Sequence, residues 1–450
     1  MDATITKDPT TTSLTGFTRE AVDELSRRKA EPDWVREARL AAWETYDRLP
    51  MPKRTDEEWR RTDLRGLKLD RQLPFAGLER QGAGLDGLLP AGEGGLGPAV
   101  HRAGAIVQGD AATVHAELDP EVARQGVIFT DLDTAVREHP DLVRQYFMTE
   151  AVPVDFGKFE ALHAAFWQGG AFLYVPKNVQ VELPFRSFVV ATEPGAALFA
   201  HTLVVLEEGA EAFVVDSYRS ETQEHQAFAS GVVELIVRRD AKLRYVQVQD
   251  WGRHVWNFMT ERSTLADDAT LNSLHVTLGS KFTKNSIGAH LRGQNSLAEM
   301  LGIFFADGDQ FFDHHTWQLH ESPYTTSNLE FKGALKGSAR SVYSGLIKVE
   351  EGAQKTDAYQ QNRNLVLSRM ARADTIPNLE IGANDVRCTH GATVSQVEEE
   401  HMFYLQARGI ERSEAQKLIV EGFFRPVIDR IPVAEIQDFL QGAIAHKVGI

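Results

Sequence analysis

The chain has 450 residues, of which 42% are hydrophobic, and a formal net charge of −16 from 64 acidic and 48 basic residues. This length suits two or three domains or one elongated domain, and the acidic balance argues against nucleic acid or an anionic membrane as the main partner. No apolar run reaches the roughly 18 residues of a membrane-spanning helix, the polar stretch 1–15 lacks a secretory core, and one cysteine cannot form an internal disulfide. The sequence therefore predicts a cytoplasmic protein.

The first predicted elements are helical. Thr18 is placed to cap a helix that runs to about Lys29, and Asp33 to cap a second helix that runs to about Arg48. Seven glycines and two prolines between residues 82 and 98 predict a flexible linker. We assign residues 1–98 to an N-terminal helical region that ends in this linker, and residues 99–170 to a mixed α/β segment.

Residues 171–397 show strand patterns almost throughout, with turn residues between the strands. A small residue recurs after each charged or polar turn, at Ala210, Ala241, Ala269 and Ser296. Strand units that repeat at this interval without intervening helices suggest a stacked β-solenoid. A β-sandwich is the structural alternative, and periodicity alone does not separate the two.

Residues 398–450 return to helical patterns and form the last predicted region. Helices are expected over about 398–408, 413–424 and 436–445. Such a tail is suited either to cap the open end of a solenoid or to dock a partner helix. We expect the strand region to stay folded when the chain ends after Val397.

The segment 384–394 joins the strand region to the tail and contains the single cysteine. Its period of two places Cys388 and His390 on one face, roughly 6 to 7 Å apart on a strand. Both are soft or borderline metal ligands. The plainer interpretation is that the two residues share a buried face of the strand.

Motifs of common catalysts are missing from the sequence. It contains no phosphate-binding loop, no G-x-S-x-G nucleophile elbow and no H-E-x-x-H pair. The run Asp313-His314-His315 is the densest histidine cluster, and we interpret it as a solvated loop rather than a metal site, because neighbours on a strand point in opposite directions. Iron–sulfur clusters usually need four protein ligands. One cysteine therefore allows only a cluster shared with another chain or with exogenous thiols.

Three blocks of the sequence resemble the SufB/SufD family of iron–sulfur cluster assembly proteins. The blocks cover residues 52–64, 159–184 and 327–422. The first block carries Glu57-x-Trp59-Arg60-x-Thr62. The third and most specific block carries Lys332-Gly333, Gln354-Lys355-Thr356-Asp357, Cys388-Thr389-His390-Gly391-Ala392-Thr393 and Phe403-Tyr404-Leu405-x-x-Arg408-Gly409. Within the family, the chain is more similar to the SufD branch, because SufB-like chains carry a glutamate where Gly391 stands and a further cysteine upstream.

The resemblance implies a mainly β fold, with a right-handed parallel β-helix (solenoid) core between N- and C-terminal α-helical regions. It implies a scaffold subunit of the SufB–SufC–SufD complex rather than an enzyme. SufB is expected to pair with this chain through the β-helices, and the SufC ATPase to bind the C-terminal helical domain. The isolated chain is expected to hold no stable cofactor and to allow a homodimer, while a transient iron–sulfur cluster forms at the SufB interface.

The resemblance also assigns candidate site residues. His390 and then Cys388 match SufD positions implicated at the shared cluster site, which makes them candidate ligands. The residues expected to bind SufC are Glu399, Met402, Phe403, Leu405, Arg408, Leu418 and Phe423. The alternatives are a SufB-like scaffold or homodimer, and a stand-alone β-helix carbohydrate-active enzyme, which would need a constellation of carboxylates on an exposed face. Copurification with an ATPase would separate the scaffold from the enzyme.

Overall fold

The structure is a computed structural model that describes residues 15–80, 88, 101–431 and 434–449. The predicted linker at 82–98 lies outside the described residues except for Leu88, and the four-part division of the chain stays a prediction. The described helices are α1 (Arg19–Arg28), α2 (Asp33–Arg48), α3 (Pro120–Arg124), α4 (Leu132–Glu138), α5 (Pro140–Tyr146), α6 (Lys158–Phe166), α7 (Glu399–Gln406), α8 (Arg412–Ile428) and α9 (Ala434–Val448).

Strands dominate the middle of the chain. They are β1 (Gly104–Gly109), β2 (Ala112–Leu118), β3 (Ile128–Asp131), β4 (Gly170–Val175), β5 (Phe185–Ala191), β6 (Ala197–Leu198), β7 (His201–Leu206), β8 (Glu211–Ser220), β9 (Ala227–Val237), β10 (Lys242–Asp250), β11 (Val255–Leu265), β12 (Thr270–Thr277), β13 (Phe282–Leu291), β14 (Leu297–Ala306), β15 (Phe311–His320), β16 (Thr326–Leu335), β17 (Arg340–Val349), β18 (Asp357–Val366), β19 (Arg372–Ile381) and β20 (Arg387–Gln396).

Consecutive strands from β7 onward alternate between two sheets, which makes the core a parallel β-solenoid. The first sheet has the order β2-β1-β5-β8-β10-β12-β14-β16-β18-β20, and the second sheet has the order β19-β17-β15-β13-β11-β9-β7-β4-β3. Neighbouring strands in each sheet are parallel and in register, as in the pairing of Leu243 with Leu271, except that β2 and β3 are antiparallel to β1 and β4. The predicted solenoid is confirmed, and the sandwich alternative is wrong because sequential strands lie in opposite sheets.

The recurring small residues form the corners of the solenoid. Ala210, Ala241 and Ala269 are fully buried, and the N–H of each donates to the carbonyl three residues earlier, at 3.0 to 3.2 Å. The residue before each alanine has a positive φ, as in Asp240 and Asp268 at 57°. That conformation favours Gly, Asn and Asp, so the polar turn and the small buried residue recur together.

The helices cover the outer faces of both sheets. Helices α1, α2 and α6 lie against the second sheet, where Phe228 and Phe258 join their apolar cluster. Helices α8 and α9 lie against the first sheet through a cluster that includes Phe424 and Leu440. The tail therefore does not cap the open end of the solenoid. Because it seals a sheet face instead, the expectation that its removal would leave the strands folded is replaced by the opposite one.

The predicted N-caps of the first two helices are only partly correct. Thr18 caps α1 as predicted, since its hydroxyl oxygen accepts the N–H of Ala21 at 3.1 Å. Asp33 does not cap α2 and is instead its first residue, with Pro32 at the cap and no side-chain hydrogen bond there. Within the described ranges, no helix is long and apolar enough to cross a membrane.

Candidate metal centre and docking surfaces

The last coil of the solenoid, formed by β19 and β20 and here called the open end, differs from every coil before it. Both strands are edges, because the sheet order stops at β20 on one side and at β19 on the other. Most residues of β20 are exposed, whereas β18 alternates between buried and exposed positions. Edge strands present unpaired N–H and C=O groups that can pair with another chain.

Cys388 and His390 lie on the interior-facing side of β20. They are in register with Ala358 and Gln360 of β18, whose side chains are 1% and 0% exposed. In-register neighbours in a parallel ladder point to the same side of the sheet. The two candidate ligands therefore face the axis of the solenoid at the coil where the described strands end, and the structure brings them together as the period predicted.

Cys388 is partly buried. Its side chain packs against the small cluster that contains Ile347, Val349 and Ala358. Burial and the nearby Asp357 carboxylate raise the pKa of the Cys388 thiol above its ordinary value. The thiol is therefore protonated at neutral pH, and a metal that binds there must displace the proton.

His390 is exposed, so the interpretation that it shares a sealed face with Cys388 is wrong for this residue. The strand pattern was read correctly, but the face is open because the ladder of the described chain stops at β20. Among the described residues, the His390 imidazole has no hydrogen-bonding partner. Both ring nitrogens are therefore available to solvent, to a metal or to a partner chain.

Gln360 lies behind His390 and was not singled out by the sequence. Its side chain is fully buried, and neither Oε1 nor Nε2 has a hydrogen-bonding partner among the described residues. Gly345 makes room for it, since a Cβ at that position would lie 2.0 Å from Nε2. Buried polar atoms are normally satisfied, so this amide is suited to an additional group at the open end, such as a water or a ligand. The available signal was its place in the run Ala358, Gln360, Asn362, Asn364, which puts polar residues at inward positions.

The described residues supply only part of a cluster site. No group of three or more His, Cys, Asp or Glu side chains within them is placed to hold a metal ion. Cys388 and His390 provide one thiol and one imidazole, while an iron–sulfur cluster usually takes four ligands. An iron–sulfur cargo therefore fits the open end only if other ligands come from outside the chain.

The Asp313-His314-His315 run is a buried network and not the solvated loop expected. It lies on β15, and Asp313 and His314 are each 1% exposed. Lys284 Nζ lies 2.8 Å from both Asp313 Oδ2 and His315 Nε2, and the ammonium and imidazole lower the pKa of Asp313. Thr62 Oγ1 donates to the same carboxylate. This network fixes the segment 57–62 onto the second sheet.

Several motif residues that carry the resemblance are structural in this way. Trp59 stacks on Phe159, with 5.6 Å between ring centroids. Lys332 Nζ donates to the carbonyl of Phe423 at 2.9 Å and so holds α8 to β16. Gly333 lies under the Phe304 ring, where a Cβ would come within 2.0 Å of Cζ. These residues position the helices around the solenoid.

The residues predicted to bind SufC separate into an exposed and a covered set. Glu399, Phe403, Arg408 and Leu418 are exposed, with Phe403 at 74%. Met402 is buried at 3% and holds α7 in place. The other two, Leu405 and Phe423, are partly buried, and Phe423 packs against the cluster beneath α8.

An exposed aromatic patch remains on the surface of α7. Phe403 and Tyr404 are 74% and 57% exposed, and the Arg408 guanidinium lies 4.8 Å from the Tyr404 ring centroid. Glu399 and Arg412 form an ion pair at 3.7 Å beside the patch. Exposed aromatic residues with a charged rim are typical of protein interfaces.

Several carboxylates of a groove beside the solenoid corners are tied to basic partners. This groove of about 820 Å³ runs along the solenoid corners and is lined by Glu150, Arg238, Asp267 and Arg292 among others. Glu150 pairs with Arg238 and Arg292 at 3.3 Å, and Asp267 pairs with Arg239 at 3.4 Å. Acids held in this way do not form the free carboxylate pair that glycoside hydrolysis needs.

Comparison with known proteins gives a consistent result over nearly the whole chain. The family model described as "SUF system FeS cluster assembly, SufBD core domain" matches residues 188–423, and the model of the SufBD protein N-terminal region matches residues 105–186. The iron–sulfur cluster assembly protein SufD of Bacillus subtilis is 32% identical over 434 residues, which cover 96% of this chain and 98% of that protein. An iron–sulfur cluster assembly SufBD family protein of Staphylococcus epidermidis is 32% identical over 426 residues, or 93% of this chain and 90% of the relative.

Proposed function

This chain belongs to the SufBD family of iron–sulfur cluster assembly proteins, and we propose from that premise that it is the SufD-like scaffold subunit of a SufB–SufC–SufD complex. It pairs with SufB through the open end and completes a shared site for a nascent cluster. It performs no turnover of its own, and the iron–sulfur cluster is its cargo.

One observation carries the proposal: the two candidate ligands lie on a long, exposed edge strand. β20 has ten residues and β19 has ten, and each sheet ends there. A second solenoid that adds its own edges to these strands would bring its ligands up to Cys388 and His390. The pairing and the completion of the ligand set would then be one event, which suits a transient cluster.

The C-terminal helices support the coupling to an ATPase. The exposed Phe403 and Tyr404 on α7 offer a docking patch, while α8 is anchored to the solenoid through Lys332 and the apolar cluster beneath it. Movement of a bound SufC would therefore pass through α7 and α8 to the first sheet, which ends at β20. A homodimer of the isolated chain would use the same edges, since they are the exposed ones.

The proposal is tested with His390→Ala in the complex with SufB and SufC. We expect the variant to form the complex normally and to lose most of the cluster yield in reconstitution with iron and sulfide. His225→Ala is the matched control, because His225 is an exposed histidine in the loop between β8 and β9, outside both the open end and α7. A normal cluster yield from the folded His390→Ala complex would remove His390 from the site.

A further inference from the structure

A second site lies on the outer face of the second sheet, whereas Cys388 and His390 lie on β20 of the first sheet. It is a pocket of about 400 Å³, here called the arginine pocket, between strands β11, β13, β15 and β17 and the N-terminal segments that hold Glu58 and Phe156. This volume is within the range of small-molecule sites, roughly 300–1,000 Å³.

The floor of the arginine pocket is a row of residues that are in register on neighbouring strands. Arg262 is paired with Gly288, Gly288 with Trp317, and Trp317 with Leu346, on four successive strands of the second sheet. A Cβ on Gly288 would lie 2.9 Å from Arg262 Cδ. The absent side chain therefore lets the arginine lie across the glycine toward Trp317.

The Arg262 guanidinium lacks a carboxylate partner among the described residues. Nη1 donates to the carbonyls of Glu261 and Ser286 at 2.7 and 2.9 Å, and Nη2 donates to Ser286 Oγ at 2.8 Å. All three acceptors are neutral. Burial lowers the pKa of Arg262 to about 10, and the charges of Glu160, Glu58 and Glu261 oppose that shift only from a distance. The Nε hydrogen and one Nη2 hydrogen are left without a described acceptor.

Two aromatic rings flank this cation. The guanidinium lies 4.6 Å from the Phe156 centroid and 5.9 Å from the Trp317 centroid. Phe156 is 45% exposed. Trp317 Nε1 and Thr264 Oγ1 are buried, and neither has a hydrogen-bonding partner within the described part of the chain. The free N–H groups of Arg262 thus lie between apolar walls.

The remaining charges of the pocket limit the charge of a ligand. Lys348 and His290 are already paired, with Glu350 at 2.7 Å and Glu321 at 2.6 Å. Glu58 and Glu150 also line the pocket and would repel a doubly charged anion. The Arg262 guanidinium has two free N–H groups, one on Nε and one on Nη2. This pair matches a single carboxylate, which it can bind through two parallel hydrogen bonds.

We propose that the arginine pocket binds a small monoanionic carboxylate that carries a flat apolar or aromatic group. The carboxylate pairs with the free edge of Arg262, and the flat group packs beside the guanidinium, against the parts of Phe156 and Trp317 that line the pocket. This site is independent of the cluster site and goes beyond the proposed function.

The test is calorimetric titration of the full chain with 3-phenylpropionate and its uncharged amide. We expect the acid to bind and the amide to bind at least about 10-fold more weakly, because a hydrogen bond to a charged group is worth that factor or more. Arg262→Gln should weaken binding of the acid by a similar factor. Arg363→Gln, at an exposed arginine of β18, should leave it unchanged.

Phe156→Ala provides a variant with little risk to folding, since Phe156 is an exposed loop residue. This substitution should weaken binding of the acid by about 2- to 10-fold, because the aromatic contact is lost. Equal affinity for the acid and the amide would overturn the proposal. So would the absence of binding at about 10 mM acid, because a Kd of ~1 mM would give near saturation there. Tighter binding of phenyl phosphate than of the acid would overturn the monoanion assignment.

Discussion

The two ends of the solenoid belong to the same two sheets, but their outermost strands differ in length and direction. At the N-terminal end, β1 and β4 are each followed outward by an antiparallel strand, β2 of seven residues and β3 of four. All six residues of β1 are buried. At the open end, two parallel strands of ten residues remain as edges, and β20 is largely exposed.

This difference shows where a partner is expected. Short antiparallel edge strands are a common way to prevent unwanted pairing, whereas long exposed edges invite it. Val394, Ile381 and Leu379 are 48%, 41% and 36% exposed on the open edge strands. The same edge carries the candidate ligands, so assembly and cluster binding are expected to coincide there.

Ending the chain after Val397 should have the largest effect. The cut removes Val420, Phe424, Leu440 and Ile444, which are all fully buried against the first sheet. Each such side chain contributes roughly 1.5–3 kcal/mol, so the loss reaches the ~5–15 kcal/mol net stability of a typical protein. We expect the truncated chain to unfold or aggregate, measured by circular dichroism and size-exclusion chromatography. A folded, monomeric product would mean that the solenoid does not need α8 and α9 to cover the first sheet.

Asp216→Asn should remove a pH-dependent loss of folding stability that arises from the buried Asp216 carboxyl group. Asp216 accepts from Thr202 Oγ1 and Tyr245 OH, both at 2.8 Å, and burial raises its pKa to about 6. The folded state therefore keeps this proton to higher pH than the unfolded state. Stability falls as the pH rises from about 4 to about 6, by about 3 kcal/mol, and the loss persists above that pH. Denaturant titrations at pH 4.5 and 7 should show a smaller drop for the variant, and an identical drop would contradict the assignment.

Val394→Asp should weaken pairing at the open end. A charge placed on an edge that becomes buried carries a desolvation cost, so we expect at least about 10-fold weaker binding to SufB. The matched control is Ala116→Asp, on the exposed part of the β2 edge at the other end of the solenoid. Both variants should keep the melting temperature of the parent chain. Equal weakening by the two substitutions, measured by sedimentation, would place the interface elsewhere.

Gln360→Leu should change folding stability the least of these substitutions. It tests whether the buried amide serves the assembled complex rather than the isolated chain. An amide that is buried without partners costs about 1–3 kcal/mol, which an apolar side chain of similar size avoids. The isolated variant should therefore be as stable as the parent chain or about 1 kcal/mol more stable, with a lower cluster yield in the complex. A clear loss of stability would show that Gln360 is satisfied by water within the isolated chain.

Much of the architecture was predictable from local patterns. Period-two strands, glycine- and aspartate-rich corners and the helical tail were all visible, because turn chemistry and side-chain alternation act over a few residues. The choice between solenoid and sandwich was not predictable from them, since it depends on which strands pair. The placement of Cys388 and His390 on one face also followed from the sequence, but their exposure did not.

The sequence by itself determined that this chain is strand-rich and acidic, and that it has a single cysteine to offer a cluster. Only the tertiary structure decided which side chains meet. Arg262 and Trp317 are 55 residues apart and share a pocket through strand register, and Thr62 reaches Asp313 across 251 residues. His390 is exposed for a reason that no local pattern contains: its strand is the last of the ladder. Burial depends on what packs next to a residue, and for β20 no described segment does.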